Sequence, residues 1–284
     1  MTIKQALYKA EDLLASRDIE DAHLEAEVLL MHALSIKRVK LYSELEKAIS
    51  PEDSRKFEAM IQRRILHEPT HHIVGYREFY GLDFYTDHRA LIPRPETETI
   101  VEEVLKFASQ RFLAGTNFLI ADIGTGSGVI AVTLSALLPQ ALVYATDIST
   151  DALEIARINC QKHNRGNQVK LLHGDMLQPI PEPVDLLVAN LPYVIDTDIP
   201  NLSPEIRLFE PMEALAGGAD GLDKIRKLLA QAPPKLRPNG LILLEMGFGQ
   251  NMGALALAET HFPNAEIDLI QDLAGIDRVL RITT

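Results

Sequence analysis

The spacing of apolar residues divides the chain into an N-terminal part with a helical pattern and a C-terminal part in which strands and helices alternate. Across residues 1–72, apolar side chains recur every three or four positions, as at Leu7, Ala10 and Leu14, and this spacing predicts helices. Ser50-Pro51 is typical of a helix start. These segments could be the outer helices of one continuous fold. Because no strand-like segment interrupts them, we expect a separate small helical domain over residues 1–72.

The pattern changes over residues 73–92, where aromatic and β-branched side chains flank Gly81. Such a composition around a glycine predicts a β-hairpin. Pro93 and Pro95 then interrupt the chain before a helical pattern resumes. We expect the hairpin to link the helical domain to a second domain over residues 93–284.

The second domain alternates short apolar runs with helical stretches, which predicts a parallel sheet with helices between its strands. Only a short turn separates the last two runs, so we expect these two to form an antiparallel pair. The predicted strands cover residues 118–123, 141–146, 169–173, 184–189, 241–246, 265–270 and 278–282. The fold class is therefore α/β: a seven-stranded, doubly wound, Rossmann-like sheet with one antiparallel strand, beside a small helical domain and a hairpin.

A glycine-rich turn follows the first predicted strand. Its G-x-G-x-G pattern precedes a helix directly, and glycines there let the backbone turn sharply and approach a ligand closely. An ordinary tight turn is the alternative. A carboxylate at the end of the next strand typically accepts hydrogen bonds from a ribose, and one beside the turn suits a cationic amino acid tail such as that of S-adenosylmethionine. The predicted cofactor residues are Asp122, Gly124, Thr125, Gly126, Ser127, Gly128 and Asp147.

The fourth predicted strand ends in Asn190-Leu191-Pro192-Tyr193, at the same edge of the sheet. Asparagine and proline are common turn residues, so an ordinary turn is the alternative here as well. A planar amide or amine nitrogen is a poor nucleophile because its lone pair is delocalised. Two acceptors, the Asn190 side-chain oxygen and the Leu191 carbonyl, would hold its two hydrogens and orient it toward a methyl group. Tyr193 would pack against the flat group.

Composition and charge restrict the partners. The net charge is −12 and the pI is about 5.2, which disfavours binding to naked nucleic acid, since that binding rests largely on Lys and Arg.

The longest nearly apolar run, residues 129–138, has about half of the ~20 residues that a membrane helix needs. The N-terminus lacks the pattern of a secretion signal. Cys160, the single cysteine, has no metal-ligand spacing around it. We expect a cytoplasmic protein without a metal site.

The Asn-x-Pro-Tyr tetrapeptide after a G-x-G-x-G turn marks the class I methyltransferases that act on planar amino nitrogens. Further segments resemble the protein release-factor glutamine methyltransferase family (the HemK/PrmC type). The most specific is Leu91 to Glu98, which reads LIPRPETE. Others are Glu68-Pro69 and parts of residues 75–81, 209–211, 214–222, 244–250 and 272–278, so the resemblance runs over nearly the whole chain.

The resemblance implies methylation of the side-chain amide nitrogen of the glutamine in the Gly-Gly-Gln motif of class 1 peptide chain release factors. S-adenosylmethionine would be the methyl donor and S-adenosylhomocysteine the product. By position, the glycine turn would contact the methionine part, Asp147 the ribose, and Asp175-Met176 the adenine, and Ile148 is also expected to bind the cofactor. Asn190 to Tyr193 would hold the glutamine, with Asn190 also beside the cofactor. Arg94 and Glu96 would line the substrate entrance. We expect a monomer.

Two departures from the family pattern keep alternatives open. Leu191 stands where the family usually has proline, and Met176 where many relatives have an aromatic residue. Asn-Leu-Pro-Tyr is also the form seen in adenine dimethyltransferases of ribosomal RNA. The alternatives are therefore a ribosomal protein glutamine methyltransferase, a nucleic-acid adenine methyltransferase and a cofactor-binding regulator without activity. Glu245, at a strand end, is expected to be structural and to tie loops through backbone N–H groups.

Overall fold

The computed structural model describes residues 1–113 and 115–284. Within these residues it contains eleven α-helices and eleven strands. The helices are α1 (Ile3–Ala15), α2 (Ala22–Leu34), α3 (Arg38–Ser43), α4 (Pro51–Arg64), α5 (Thr70–Val74), α6 (Glu98–Arg111), α7 (Val129–Leu137), α8 (Thr150–Lys162), α9 (Pro204–Phe209), α10 (Asp223–Gln231) and α11 (Asn251–His261). The strands are β1 (Tyr76–Phe79), β2 (Leu82–Tyr85), β3 (Phe118–Ile123), β4 (Ala141–Asp147), β5 (Val169–His173), β6 (Val184–Asn190), β7 (Val194–Ile195), β8 (Ala216–Gly218), β9 (Leu236–Glu245), β10 (Glu266–Gln271) and β11 (Asp277–Thr283).

The described chain divides into two compact units, the first of which is helical. It comprises Met1–Tyr76 together with Ser203–Phe209. Its core consists of apolar side chains that face inward from α1, α2, α4 and α5. Ser50 caps α4 by accepting a 3.1 Å hydrogen bond from the Asp53 backbone N–H, with Pro51 as the first helical residue. The helix start predicted there is present.

A buried arginine holds α9 in the helical unit. The Arg64 side chain is 2% exposed; its Nε donates to Glu25 at 2.9 Å, and a terminal nitrogen pairs with Glu205 of α9. Ion pairs shielded from water are screened less than surface pairs. Residues 203–209 join this unit although they lie far along the chain, a placement that the sequence pattern did not predict.

The second unit, Arg77–Leu202 with Glu210–Thr284, is built on a seven-stranded sheet. The strand order is β10-β11-β9-β6-β3-β4-β5, and β11 runs antiparallel to both of its neighbours. The other pairs along the sheet are parallel. The predicted fold class is confirmed, and each predicted strand lies at its expected position. The largest difference is at β9, which starts five residues early, at Leu236.

Both faces of this sheet are buried, which explains why its strands are continuous apolar runs. Successive residues of one strand point to opposite faces. In β6, Leu186 and Val188 pack in the same cluster as α6 and α7, whereas Leu187 and Ala189 pack in the cluster with α10 and α11. The helices therefore cover the sheet from both sides, as in a doubly wound fold.

The hairpin is shorter than the sequence pattern predicts. Its strands are β1 and β2, while Ile73 and Val74 belong to α5. Phe79 and Phe84 are buried in the core of the second unit, with their ring centroids 6.1 Å apart. The prediction of a hairpin is correct, and from Arg77 onward the hairpin is part of the second unit. The boundaries 1–72, 73–92 and 93–284 stay a prediction about independent domains.

No helix among residues 1–113 and 115–284 is both long and apolar enough to cross a bilayer.

A buried asparagine in α8 fastens the hairpin to the glycine-rich turn. The Asn159 side chain accepts from the Tyr85 N–H at 2.7 Å and donates to the carbonyls of Tyr85 at 3.1 Å and Ser127 at 2.8 Å. Asn159 is 0% exposed, so water cannot replace these partners. One side chain thus connects three segments that are distant in sequence.

Replacing Asn159 with leucine tests this connection. Leucine has a similar size but leaves the Tyr85 N–H and two carbonyls without partners, so we expect the free energy of unfolding to fall by roughly 2–4 kcal/mol. Urea titration followed by circular dichroism measures the change. Gln161→Leu, at an exposed position on the same helix, is the control and should stay within about 0.5 kcal/mol of the wild type. Equal stability of the two variants would contradict this role of Asn159.

Candidate active site

Two loops meet where the strand order reverses. β3 pairs with β4 on one side and β6 on the other, and Ile123 lies opposite Ala189. The loops after β3 and β6 therefore emerge side by side at the carboxyl edge, where open α/β sheets bind ligands. The first loop carries the glycine-rich turn and the second carries Asn190 to Tyr193.

A cavity of about 460 Å³ opens at this edge, entirely within the second unit. This volume lies within the range of small-molecule and cofactor sites. Most of the predicted site residues line it. They are Arg94, Gly124, Thr125, Gly126, Ser127, Asp147, Ile148, Asp175, Met176, Asn190, Leu191 and Pro192. Four predicted residues are not part of the lining: Glu96, Asp122, Gly128 and Tyr193.

The glycine-rich turn has the backbone that its sequence requires. Gly124, Gly126 and Gly128 have φ values of +68°, +56° and +82°, a region that residues with a Cβ rarely adopt. A Cβ on Gly124 would lie 3.0 Å from the Leu191 side chain. A Cβ on Gly128 would lie 3.1 Å from that of Ala156. Gly128 therefore serves helix packing, whereas Gly124 and Gly126 keep the cavity wall open.

Asp122 lies beneath the turn and is 0% exposed. Its Oδ2 accepts from the Thr125 hydroxyl at 2.6 Å and from the Ala131 N–H at 3.1 Å. Burial raises the pKa of this carboxyl to about 7. Oδ2 therefore shapes the loop that borders the cavity, and a cofactor contact from the Asp122 side chain stays a prediction.

Asp147 joins the turn to the end of β4. Its Oδ2 accepts from the Gly126 N–H at 2.8 Å, and its Oδ1 accepts from the Ser149 N–H at 2.9 Å. Burial is the main cause that raises the pKa of this carboxyl. Ile148 follows it and is 64% exposed at the cavity wall. A carboxylate and an apolar side chain therefore lie together where a nucleoside is expected.

The predicted adenine residues lie at the loop after β5. The Asp175 carboxylate pairs with the ammonium group of Lys227 from α10. Met176 has a positive φ of 51°, and its carbonyl accepts from the Thr146 hydroxyl at 3.1 Å. Lys227 itself lines the cavity, although the sequence analysis gave it no role.

The Asn190 side chain is oriented by a chain of hydrogen bonds. Its Nδ2 donates to the Thr97 hydroxyl at 2.9 Å, and that hydroxyl donates to Oε2 of Glu245 at 2.6 Å. Glu245 lies opposite Asn190 in the β6–β9 pair and is 1% exposed. The Asn190 oxygen Oδ1 is therefore the end of the amide that remains for a ligand.

Tyr193 lies behind the cavity rather than in its wall. Its hydroxyl is 3.4 Å from Oε1 of Glu245, and its carbonyl accepts from Nε2 of Gln250 at 2.8 Å. Burial is the main cause that raises the pKa of this phenol. The Tyr193 side chain is partly exposed, and the packing of its ring against a flat substrate group stays a prediction.

The two predicted entrance residues differ in position. Nη2 of Arg94 contacts both carboxylate oxygens of Glu210, at 2.7 and 2.9 Å, and Arg94 lines the cavity. Glu96 is exposed on a short 3₁₀ turn, Pro95–Thr97, outside the cavity lining. The entrance role of Glu96 therefore finds no contact with the cavity, while Arg94 anchors the segment after the hairpin.

Sequence reasoning missed three polar residues that organise the site: Thr97, Asn159 and Gln250. It also expected Glu245 to bind backbone N–H groups, whereas its carboxylate accepts from side-chain hydroxyl groups. Thr97 lies between Glu96 and Glu98 in the segment where the family resemblance is most specific. Its position in that segment is the one signal in the sequence that indicates a role for Thr97 in the site.

Comparison with solved structures supports the fold. A methyltransferase from Pyrococcus furiosus matches with a TM-score of 0.52 and 19% identity, over 80% of this chain and 96% of that one. The N-terminal domain of human METTL16, solved in complex with SAH, gives a TM-score of 0.52 and 18% identity, over 72% of this chain and 76% of that one. The fold is the Rossmann-like fold of these methyltransferases.

Comparison with protein families is more specific. Residues 5–75 match the PrmC N-terminal domain, and residues 105–205 match the methyltransferase small domain. Release factor glutamine methyltransferase from Moorella thermoacetica is 42% identical over 98% of this chain and 97% of its own length. The enzyme of the same name from Geobacter sulfurreducens is 39% identical over 98% and 95%. The chain belongs to the release factor glutamine methyltransferase family.

Replacing Gly124 with alanine tests the turn. Left-handed backbone costs a residue with a Cβ about 1–2 kcal/mol, and the new methyl group would also press on Leu191. In the free protein the loop can relax and relieve this strain, but binding requires the original turn. The strain therefore lowers the affinity, and we expect the dissociation constant for S-adenosylmethionine to rise about tenfold. Isothermal titration calorimetry measures it. Gly166→Ala, at an open position, is the control and should bind like the wild type. Equal affinity of the two variants would refute the role of this glycine.

Proposed function

We propose that this enzyme transfers a methyl group from S-adenosylmethionine to the side-chain amide nitrogen of the glutamine in the Gly-Gly-Gln motif of class 1 release factors. The names of the full-length relatives support the substrate. The observation that carries the chemistry is the orientation of Asn190, whose Nδ2 is held by Thr97 and whose Oδ1 remains for a donor. Oδ1 of Asn190 and the carbonyl oxygen of Leu191 give this short loop two acceptors, which suits a primary amide because its nitrogen carries two hydrogens.

The cavity residues fit the proposed cofactor. The open glycine turn would accommodate the methionine part, Asp147 would accept hydrogen bonds from the ribose hydroxyl groups, and Ile148 and Met176 would pack against the adenine. Asp175 can accept from an exocyclic amine because a carboxylate offers more lone pairs than its pair with Lys227 uses. When bound, this cofactor supplies an activated methyl group on a positively charged sulfur.

The loop after β6 would position the acceptor nitrogen. Oδ1 of Asn190 and the carbonyl oxygen of Leu191 would each accept one amide hydrogen and direct the nitrogen toward the methyl group. These two dipoles also stabilise the positive charge that develops on the nitrogen as its bond to carbon forms. The nitrogen loses one proton to solvent after transfer, so the chain does not need to supply a strong base.

The remaining assignments stay predictions. We infer that the enzyme works in the cytoplasm as a monomer and that it recognises a protein rather than nucleic acid. The acidic net charge of −12 supports the last point, since phosphate binding depends on cationic side chains.

Methyl transfer to a purified release factor tests the proposed function directly. With radiolabelled S-adenosylmethionine, we expect label on the wild-type factor and none on a factor whose Gly-Gly-Gln glutamine is replaced by alanine. Ribosomal protein and ribosomal RNA are added as competing acceptors. Label on either of these, with none on the release factor, would refute the substrate and leave the methyltransferase chemistry standing.

Replacing Asn190 with alanine tests the amide clamp. We expect kcat to fall by about 10²–10³-fold, as for loss of a transition-state hydrogen bond, with little change in affinity for S-adenosylmethionine. Single-turnover kinetics and calorimetry measure the two quantities. Asn167→Ala, an exposed asparagine before β5 at the opposite edge of the sheet, should leave both unchanged. Wild-type turnover in the Asn190 variant would exclude the clamp.

A further inference from the structure

The chain of hydrogen bonds behind Asn190 has a direction. The Thr97 hydroxyl has a single proton, which it gives to Oε2 of Glu245 at 2.6 Å. The hydroxyl oxygen can then only accept. The end of the Asn190 amide that faces Thr97 must therefore be the NH₂ group, whose nitrogen lies 2.9 Å away. An ionised Glu245 thus determines which end of the amide faces the cavity.

The direction depends on the charge of Glu245. A carboxylate only accepts hydrogen bonds, whereas a carboxylic acid can also donate. If Glu245 donated to the Thr97 oxygen, the threonine proton would be free to bind Oδ1 of Asn190. The amide could then rotate by half a turn and present NH₂ to the cavity. Two NH₂ groups facing each other cannot form a hydrogen bond, so that orientation rejects a glutamine amide.

We propose that Thr97 and Glu245 are positioning residues that hold the Asn190 amide with its oxygen toward the substrate nitrogen. This inference rests on the proposed function, because it assumes that the substrate group donates hydrogen bonds. Thr97 comes from the LIPRPETE segment and Glu245 from the end of β9. The segment with the most specific family resemblance therefore acts on the reacting group through Asn190.

The surroundings of Glu245 make its charge sensitive to pH. The pKa of this carboxyl is raised to about 7, mainly by burial and to a smaller extent by the nearby Glu96 carboxylate. The Thr97 and Tyr193 hydroxyl groups and the cation of Arg278 oppose this rise. Arg278 is itself paired with Asp272, at 3.1 Å. Since Glu245 is ionised above its pKa, the oriented state of Asn190 increases as the pH rises through about 7 and declines below it.

Threonine and valine have nearly the same shape, so Thr97→Val removes the hydroxyl and little else. We expect kcat for methyl transfer to fall at least tenfold, while the dissociation constant for S-adenosylmethionine changes less than twofold. Thr97→Ser restores the hydroxyl and should stay within about threefold of the wild-type kcat. Thr133→Val is the matched control: Thr133 is also buried, and its hydroxyl has no partner among residues 1–113 and 115–284. This variant should keep the wild-type kcat.

Two changes at Glu245 test the direction of the chain. Glu245→Met removes the acceptor and should lower kcat as Thr97→Val does. Glu245→Gln keeps an oxygen that can accept but does not ionise near neutral pH. We therefore expect it to retain more activity than Glu245→Met. We also expect its kcat to rise less between pH 6 and 8 than that of the wild type, because the ionisation of Glu245 no longer contributes.

A readout without cofactor or substrate separates this inference from the proposed function. The Asn190 side-chain amide can be observed by ¹H–¹⁵N NMR and assigned by its absence in Asn190→Ala. Its hydrogen bond to Thr97 should slow hydrogen exchange in the wild type, and exchange should be faster in Thr97→Val. If release factors are not methylated, this result still supports or refutes the orientation. Unchanged exchange, or wild-type kcat in Thr97→Val, would overturn the positioning role.

Discussion

The parallel pairing of β3 with β6 is the constraint on which the site depends. It places the carboxyl ends of two strands side by side although they are joined through β4 and β5 on the far side of the sheet. The loop after each strand must therefore leave the sheet at the same edge. The loop after β3 presents the backbone of the glycine-rich turn, and the loop after β6 presents the Asn190 amide and the Leu191 carbonyl. Because both faces of the sheet are buried, the strand ends from which the two loops start are held in place by a packed core.

Local patterns in the sequence were sufficient to predict the seven-stranded sheet and the two loops at its carboxyl edge. The glycine turn and Asn190-Leu191-Pro192-Tyr193 each combine a strand end with residues that have a specific backbone or side-chain chemistry. The supporting contacts could not be predicted in this way. The bonds of Thr97 span 93 residues to Asn190 and 148 residues to Glu245, and those of Asn159 span 74 residues to Tyr85. Such pairings depend on the packing of whole elements, and no pattern within a short window encodes them.

The positions of the carboxylates show why a residue type alone does not define a role. Asp122, Asp147 and Glu245 all lie at or one residue before the carboxyl end of a strand, at the same edge of the sheet, and burial raises the pKa of each. Asp147 reaches the cavity wall, whereas Asp122 and Glu245 bind groups behind it. Burying a carboxyl group without a paired cation reduces the stability of the fold. In this protein the destabilising buried carboxyl groups occur where a hydroxyl or backbone N–H group is held in one orientation.

Leu191 illustrates how packing can replace a covalent restriction. A proline at this position would fix φ through its ring, whereas leucine leaves that torsion free. The Leu191 side chain is 4% exposed and lies in the core cluster on the α10–α11 side of the sheet. It also approaches Gly124 so closely that a Cβ there would be 3.0 Å away. Pro192 restricts the backbone of Leu191 from the other side. The carbonyl proposed to hold the substrate is therefore fixed by the same contact that sets the glycine turn, which couples the two halves of the site.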